Sequence, residues 1–530
     1  MKNNKNLKFQ FNKKISLFQC IFLILLIISG SVIIWITKDD VSSFLFHGKS
    51  FSGRNLFFQF SLFFSFLSVF LIISYGLIYG IRVFRKYKFP DHLTANKKLL
   101  SLLLFFSIGF VIIFSINNVI STIDTVNWIY DPPSTVWPMQ PIGNDFRVGL
   151  YTPPKMMLTD IRIYHFNDGQ DALSQYPPFL NLLVLPYQLL DVNSAYLMHV
   201  FNLFLSNFIS LLIAAYLVKE VIITRLDFDQ SAIWAVTFSI FFSLLIYSFS
   251  SYGFLFSVER GNCDGIALLF SMLSLLVLFK NPNKIWLQVV LLSIAIHIKI
   301  YPAALFIIFL IKHGKKIIIP AIIINVVLLF SLGAGNALAF LQIILKSSGG
   351  PFIWVGNHSG YSFAQILAVS YPQFYPILFL LRHVFTLIPI LIWMGSIYTL
   401  LKHNKQDSTL LLLFMVTIPI MDLVPTTSHD YKLVILYPAI IILLSIIVTH
   451  LFQTSEIMDY FELFLLMGVL LVIGRSYSLN DSSQIFINNK YLPVIILQIL
   501  MYFNIEKFIH FNMLPDLPLM EMKAERLSEK

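Results

Sequence analysis

Charged side chains are scarce in this sequence. Asp, Glu, Lys and Arg together make up 12% of its 530 residues, about half the share that is usual in globular domains. Hydrophobic residues make up 57%, and the mean hydropathy is +0.78. This composition excludes an ordinary soluble domain. The apolar residues form runs of roughly 20, each long enough to cross a bilayer as an α-helix, and they lack the alternation that a transmembrane barrel requires.

Cysteine is nearly absent, and this excludes further classes of structure. The two cysteines are Cys20, inside the first apolar run, and Cys263. The sequence therefore predicts no disulfide framework and no cysteine-based metal site. It also lacks the phosphate loop G-x-x-x-x-G-K-[ST], so we expect no nucleotide site and no cofactor. No repeat of fixed period is apparent.

Positive charge exceeds negative charge, with a formal net charge of +10. The Lys and Arg residues flank the apolar runs, so they indicate membrane orientation rather than binding to nucleic acid. Several lysines precede the first run, Ile15 to Ile36, which has no small-residue cleavage site and indicates a retained anchor. We therefore expect a multi-pass protein of the plasma membrane with a cytoplasmic N-terminus.

The runs predict an all-α fold, a polytopic transmembrane helical bundle of about 12–14 spans. We divide it into three regions. Residues 1–98 form an N-terminal pair of spans with a basic cytoplasmic loop, residues 99–438 form a central transmembrane region, and residues 439–530 form the last spans with a charged cytoplasmic tail. A long loop after the third span is external in this topology, and we expect juxtamembrane helices in it. The runs Ile285 to Ile298 and Ala303 to Ile311 are short for full spans, so we expect a broken or re-entrant pair joined at K-I-Y-P.

The long external loop carries the first two polar clusters. Asp145 lies in G-N-D-F-R-V-G-L-Y with Arg147 and Tyr151. Asp145 is a candidate general base for a hydroxyl group, and a solvated loop aspartate is the competing interpretation. Tyr176 precedes two prolines, which either aim the loop at a substrate or only lead into the next helix. The same loop contains rival carboxylates: Asp124, Asp131, Asp160, Asp168 and Asp171.

A third cluster, E-R-G-N-C-D-G, opens an apolar run at residues 259–265. Arg260 can hold a phosphate through two parallel hydrogen bonds, and a helix N-terminus favours an anion. Asn262 and Asp264 either serve such a site or cap the helix.

Two more clusters lie at the predicted external ends of spans. Lys299, followed by Tyr301, is a candidate phosphate ligand, with snorkelling to the interface as the alternative. His429, in S-H-D-Y-K, is a candidate donor to a phosphate or a sugar, although an interfacial histidine is often only hydrated. In G-N-H-S-G, Asn357 and His358 are candidate substrate-lining residues. No spacing of histidines indicates a metal site.

All five clusters fall on the external side of the predicted topology. Ionisable groups at membrane depth cost roughly 2.5–3.5 kcal/mol on insertion scales, so they usually serve a purpose there. We therefore expect these side chains to meet at one membrane surface and to form one site.

The order of the motifs resembles glycosyltransferase family 87, of the GT-C superfamily of polytopic transferases. Over roughly residues 144–438 the loop aspartate is followed by Y-P-P, E-R-G-N-x-D, K-x-Y-P, G-N-x-S and S-H-D-Y. The resemblance implies a GT-C-type bundle whose catalytic region is 99–438 and whose catalytic base is Asp145. One departure is that the loop follows the third predicted span here, whereas in GT-C proteins it usually follows the first.

The resemblance also implies a substrate. Family members are hexosyltransferases that take a sugar, mannose in the best-known case, from a polyprenyl-phosphate donor and transfer it to a glycan or lipid acceptor outside the cytoplasm. Arg260 and Lys299 would contact the lipid phosphate, and His429 would lie near the donor. The full set of expected donor-binding residues is Arg260, Asn262, Asp264, Lys299, Tyr301 and His429, and the expected lining residues are Tyr151, Tyr176, Asn357 and His358.

Two other functions stay open on the sequence alone. A transporter or flippase of lipid-linked substrates would place its ionisable residues near the bilayer midplane, often within internal repeats. A polysaccharide polymerase or ligase would act on a diphosphate-linked glycan, usually with its key loop late in the chain.

Overall fold

The structure is a computed structural model, and it describes residues 143, 145–158, 163–164, 176–225, 230–347, 356–403, 407–454, 457–474 and 489–513. All of them belong to one unit, Ala95–Lys530. Every regular element within these residues is a helix, and β-pairing among them is limited to an isolated bridge between Asn357 and His429. The predicted all-α fold is therefore confirmed.

The α-helices that lie in the described residues are numbered in chain order. They are α1 Thr152–Met157, α2 Pro178–Leu183, α3 Val192–Val221, α4 Gln230–Ser250, α5 Tyr252–Arg260, α6 Asp264–Lys280, α7 Ile285–Ile298, α8 Phe306–His313, α9 Ile318–Leu329, α10 Gly333–Ser347, α11 Gly360–Ser370, α12 Tyr375–His403, α13 Asp407–Leu423, α14 Leu436–Thr454, α15 Ile457–Gly474 and α16 Tyr491–Met513. A π-helical segment, Phe146–Tyr151, precedes α1, and 3-10 segments cover Leu185–Leu189, Ile223–Arg225, Tyr301–Leu305, Gly314–Ile317, Pro372–Phe374 and Asp430–Ile435.

Helix α14 forms the centre of this unit. Helix α14 and the 3-10 segment before it form one apolar stretch, Asp430–Leu451. Within its apolar 18-residue section, 94% is buried. It packs against α3, α4, α13, α15 and α16. In the stretch Pro372–Lys402, which contains α12, only 6% of the apolar 18-residue section is buried. Side chains at the start of α14 are therefore enclosed by the surrounding helices.

Four helical stretches of the described residues are long and apolar enough to cross a membrane, and six if each of two bent helix pairs is one span. The four are Val192–Val221, Pro372–Lys402, Asp430–Leu451 and Tyr491–Ile509. They support a polytopic membrane protein. The first three predicted spans, the segment 1–98 and the charged tail lie outside the described residues, and the total of 12–14 spans stays a prediction.

The helix is interrupted at the position that the two short apolar runs predicted. Helix α7 ends at Ile298, Lys299 is extended, and the next helical segment begins at Tyr301 with Pro302 in its first turn. That helical run continues to Leu329 and then bends by 99° into a further helical arm, Gly333–Leu345, which no apolar run predicted.

Candidate active site

The polar motifs lie at helix ends that meet at one end of the bundle. Helices α6 and α7 pack side by side and are joined by a short turn, so the start of α6 at Asp264 lies beside Lys299, just after α7. Helix α5 ends at Arg260, immediately before α6 begins. His429 stands just before the segment that leads into the central helix.

The Asp145 segment is anchored to the turn between α5 and α6. The amide of Gly143 donates a hydrogen bond to the carbonyl of Glu259 at 2.6 Å. In the turn, Gly261 has a left-handed backbone with φ 68°, and a Cβ at this position would lie 2.5 Å from the Cβ of Phe146. The absence of a side chain therefore lets the Asp145 segment approach the end of α5.

This approach places Asp145 beside Arg260. The guanidinium Nη2 donates to the Asp145 Oδ1 at 2.5 Å, and the Arg260 and Asp145 side chains are 21% and 20% exposed. Charge-assisted bonds of this kind are short and strong. Because both side chains are partly exposed, the pair can be reached from solvent.

Asp264 holds the second cation of the site. It is 1% exposed and accepts a hydrogen bond from the Tyr301 hydroxyl at 2.6 Å. The Lys299 Nζ lies 3.6 Å from its other oxygen. Burial by itself would lower the pKa of Lys299, but the neighbouring groups, with Asp264 foremost and Asp145 among the others, together outweigh burial and raise that pKa above its ordinary value. Lys299 is therefore positively charged at neutral pH.

Aromatic rings surround the lysines of the site. The Lys299 Nζ lies 4.8 Å from the ring centroid of Tyr176 and 5.8 Å from that of Tyr431. Lys432 lies 4.4 Å from the centroid of Tyr301. An ammonium group is attracted to the face of an aromatic ring within about 6 Å. Burial raises the pKa of the Tyr176 hydroxyl well above its ordinary value, so it stays protonated.

His429 lies in the same neighbourhood. Its ring contacts Tyr431 edge-on at 5.4 Å between centroids. Burial and then nearby positive charges, among them Lys299 and Arg260, lower the pKa of His429 to about 3. The charge of Asp145 in turn acts on Lys299. The four principal candidates are thus brought within electrostatic reach of one another, and His429 is neutral at physiological pH.

Asn357 and His358 are fully buried and hold a loop in place. The Asn357 Oδ1 accepts a hydrogen bond from the Ser428 amide at 2.8 Å. The two ring nitrogens of His358 lie 2.9 Å from Asp430 and 3.0 Å from Asp422. Neither side chain has exposed surface to offer a substrate, so the structure places both in the framework that supports His429.

Three other candidates shape the approach to the site. The Tyr151 hydroxyl donates to a backbone carbonyl just before α3 at 2.9 Å, and Arg147 donates to the side chain of Asn193 at 2.9 Å. Both contacts attach the loop to α3. The Asn262 side chain is buried and accepts from the backbone amide at the start of α6 at 3.3 Å, so it shapes the turn.

Sequence reasoning missed Asp422, Asp430, Tyr431 and Lys432 as members of this assembly. Three of them stand in the S-H-D-Y-K motif, from which only His429 was selected. Asp422 is a lone carboxylate near the end of an apolar helix, which is itself a signal of function or pairing.

The five rival loop aspartates lie outside the described residues. Among the residues that the structure does describe, no group of three or more His, Cys, Asp or Glu side chains could hold a metal ion.

Comparison with known proteins supports one assignment. The family model of glycosyltransferase family 87 matches residues 175–426, slightly less than half of the chain. This bears out the resemblance and indicates a glycosyltransferase. The matched region contains Arg260, Asp264 and Lys299, whereas Asp145 and His429 lie outside it. No curated protein and no solved structure matched the chain.

Proposed function

We propose that this chain, a glycosyltransferase by its match to family 87 over residues 175–426, transfers a hexose from a polyprenyl-phosphate donor to a hydroxyl group of a glycan or lipid acceptor. We expect mannose as the sugar and the external face of the plasma membrane as the place of reaction. The supporting observation is the cluster of Asp145, Arg260, Lys299 and His429 at one end of the bundle. It combines a partly exposed carboxylate with fixed cations.

The reaction is a single displacement at the anomeric carbon. Asp145 accepts the proton of the acceptor hydroxyl, the acceptor oxygen forms a bond to the anomeric carbon, and the bond from that carbon to the phosphate oxygen breaks. The polyprenyl phosphate leaves with one additional negative charge. Arg260 and Lys299 stabilise that charge, and because they are already in place they need little reorganisation. Tyr301 acts indirectly, by holding Asp264 beside Lys299.

The ion pair between Asp145 and Arg260 implies an order of binding. A donor phosphate competes with Asp145 for the guanidinium of Arg260. When the phosphate takes this contact, the carboxylate is released from its partner and can accept a proton. The base therefore becomes available once the donor is bound.

Transfer by the full-length protein in lipid nanodiscs tests this function. We expect transfer from a polyprenyl-phosphate hexose, little from the corresponding diphosphate-linked glycan, and a product whose anomeric configuration is inverted. Retention of configuration would contradict a single displacement. Movement of the lipid-linked sugar across a vesicle membrane without any transfer would instead favour a carrier, whose ionisable residues are expected near the midplane and not at helix ends.

A further inference from the structure

A fully buried ion triad lies beside His429. The His358 ring stands between two carboxylates, with Nδ1 2.9 Å from the Asp430 Oδ1 and Nε2 3.0 Å from the Asp422 Oδ1. All three side chains are 0% exposed. The triad joins the end of α13, the loop before α11 and the segment before α14. Nothing in the proposed transfer step uses it directly.

The triad is part of a dense attachment between two backbone segments. The His358 amide donates to the Ser428 carbonyl at 2.8 Å, and the Asp430 amide donates to the Gly356 carbonyl at 3.0 Å. These bonds make the bridge that pairs Asn357 with His429. His429 has an extended backbone and precedes the 3-10 segment that begins at Asp430. The two bridge bonds lie on either side of it, at Ser428 and Asp430, so the contact of Asp430 with His358 helps to fix the backbone that carries His429.

Only an imidazolium can donate a hydrogen bond to both carboxylates at this place. It donates from both ring nitrogens, whereas an amide side chain donates from one end only. Burial alone would lower the pKa of His358, but Asp422 and Asp430 outweigh burial and raise it to about 9. His358 is therefore protonated at neutral pH. Removing one partner from a buried ionic group leaves an uncompensated charge. Loss of any one member of the triad should therefore disturb the local structure strongly.

We propose that His358 is a positioning residue, which through Asp430 and the Asn357–His429 bridge aims the His429 ring at the donor phosphate or its sugar. This inference rests on the proposed function, because it assigns His429 to the donor. In this arrangement the triad does not position Asp145, which faces the acceptor hydroxyl. The triad therefore governs donor affinity and has little effect on acceptor affinity.

The test measures KM for the donor and KM for the acceptor separately, with His358→Gln, His429→Gln and the double variant in nanodiscs. We expect His358→Gln to raise the donor KM about tenfold, the loss of one well-placed hydrogen bond, with the acceptor KM within about twofold of wild type. We expect the double variant to be no worse than His429→Gln alone, because His358 acts through His429. His450→Gln, at the far end of α14, is the matched control and should change neither value.

A milder variant covers the case in which His358→Gln does not fold. The Ser428 hydroxyl donates to the Asp422 backbone carbonyl and lies 3.1 Å from the Asp422 Oδ1, so Ser428→Ala loosens the same segment while the triad keeps its charges. It should raise the donor KM about threefold, the loss of a weaker contact, and this effect should vanish in the His429→Gln background.

Three results would overturn the inference: an unchanged donor KM in a folded variant, an equal rise in both KM values, or losses that multiply with His429→Gln. If the wild type itself fails to use a polyprenyl-phosphate hexose, the proposed function fails instead, and the two failures are thereby distinguished.

Discussion

Substitution of Gly261 by alanine tests how the Asp145 segment is held. Gly261 has φ 68°, a conformation that costs other L-residues about 1–2 kcal/mol. The new Cβ would also lie 2.5 Å from the Cβ of Phe146, and overpacking of this kind costs about 1–3 kcal/mol. We expect Gly261→Ala to destabilise the protein by about 2–5 kcal/mol, the sum of these effects. Phe146 must move, and the adjacent Asp145 moves with it.

The functional effect should exceed the loss of folded protein. A displacement of about 1 Å at a catalytic group can cost about a hundredfold in rate, so we expect a fall in kcat of that order in the remaining folded enzyme. Gly265→Ala is the matched control, because its Cβ would lie 3.8 Å from the nearest atom, on Leu203, and alanine is favourable within a helix. The assay combines the thermal unfolding midpoint in detergent with transfer per folded molecule. Wild-type kcat and midpoint in Gly261→Ala would refute this account of the turn.

Three further predictions concern the charged groups. Tyr301→Phe removes the hydrogen bond to the buried Asp264 and should lower the free energy of unfolding by about 1–3 kcal/mol; an unchanged denaturation midpoint would argue against that bond. Lys299→Met leaves Asp264 uncompensated and should cost about 3–5 kcal/mol and most of the transfer activity, whereas the exposed Lys284→Met should cost neither. The pKa of His358 is raised by folding to about 9, so its contribution of about 3 kcal/mol is full below about pH 6.5 and is lost as the pH rises towards 9. Unfolding midpoints at pH 6 and pH 9.5 should therefore differ more in wild type than in His358→Gln, and equal differences would contradict the assigned shift.

Much of the helical layout follows from hydrophobic runs alone. The run predicted at Ile285 to Ile298 is α7, with the same ends, because Lys299 and Pro302 interrupt the apolar pattern where the helix stops. The predicted gathering of polar motifs agrees with the contacts of Arg260 with Asp145 and of Lys299 with Asp264, and their place at a membrane surface stays a prediction. These residues adjoin helix ends, and short connections restrict where such ends can lie.

The sequence could not reveal which way individual side chains face. His358 and His429 stand in similar polar motifs, but the first is enclosed by two carboxylates and the second contacts an aromatic ring near the cations. The difference depends on how the loop before α11 pairs with the segment before α14, which are far apart in the chain. Asp422 was missed for the same reason, since its partner His358 becomes visible only when the two segments meet.

The most direct test of the central claim is the single-turnover rate of Asp145→Asn with a saturating polyprenyl-phosphate hexose. A general base contributes about 10²–10⁴-fold, so the account predicts a rate at least about a hundredfold below wild type, with a donor affinity at least equal to that of wild type because Asp145 no longer competes for Arg260. Asp191→Asn is the control, because Asp191 is an exposed carboxylate that caps α3 and asparagine caps equally well; it should react at the wild-type rate. Transfer by Asp145→Asn within a few-fold of wild type would contradict the assignment of Asp145 as the base.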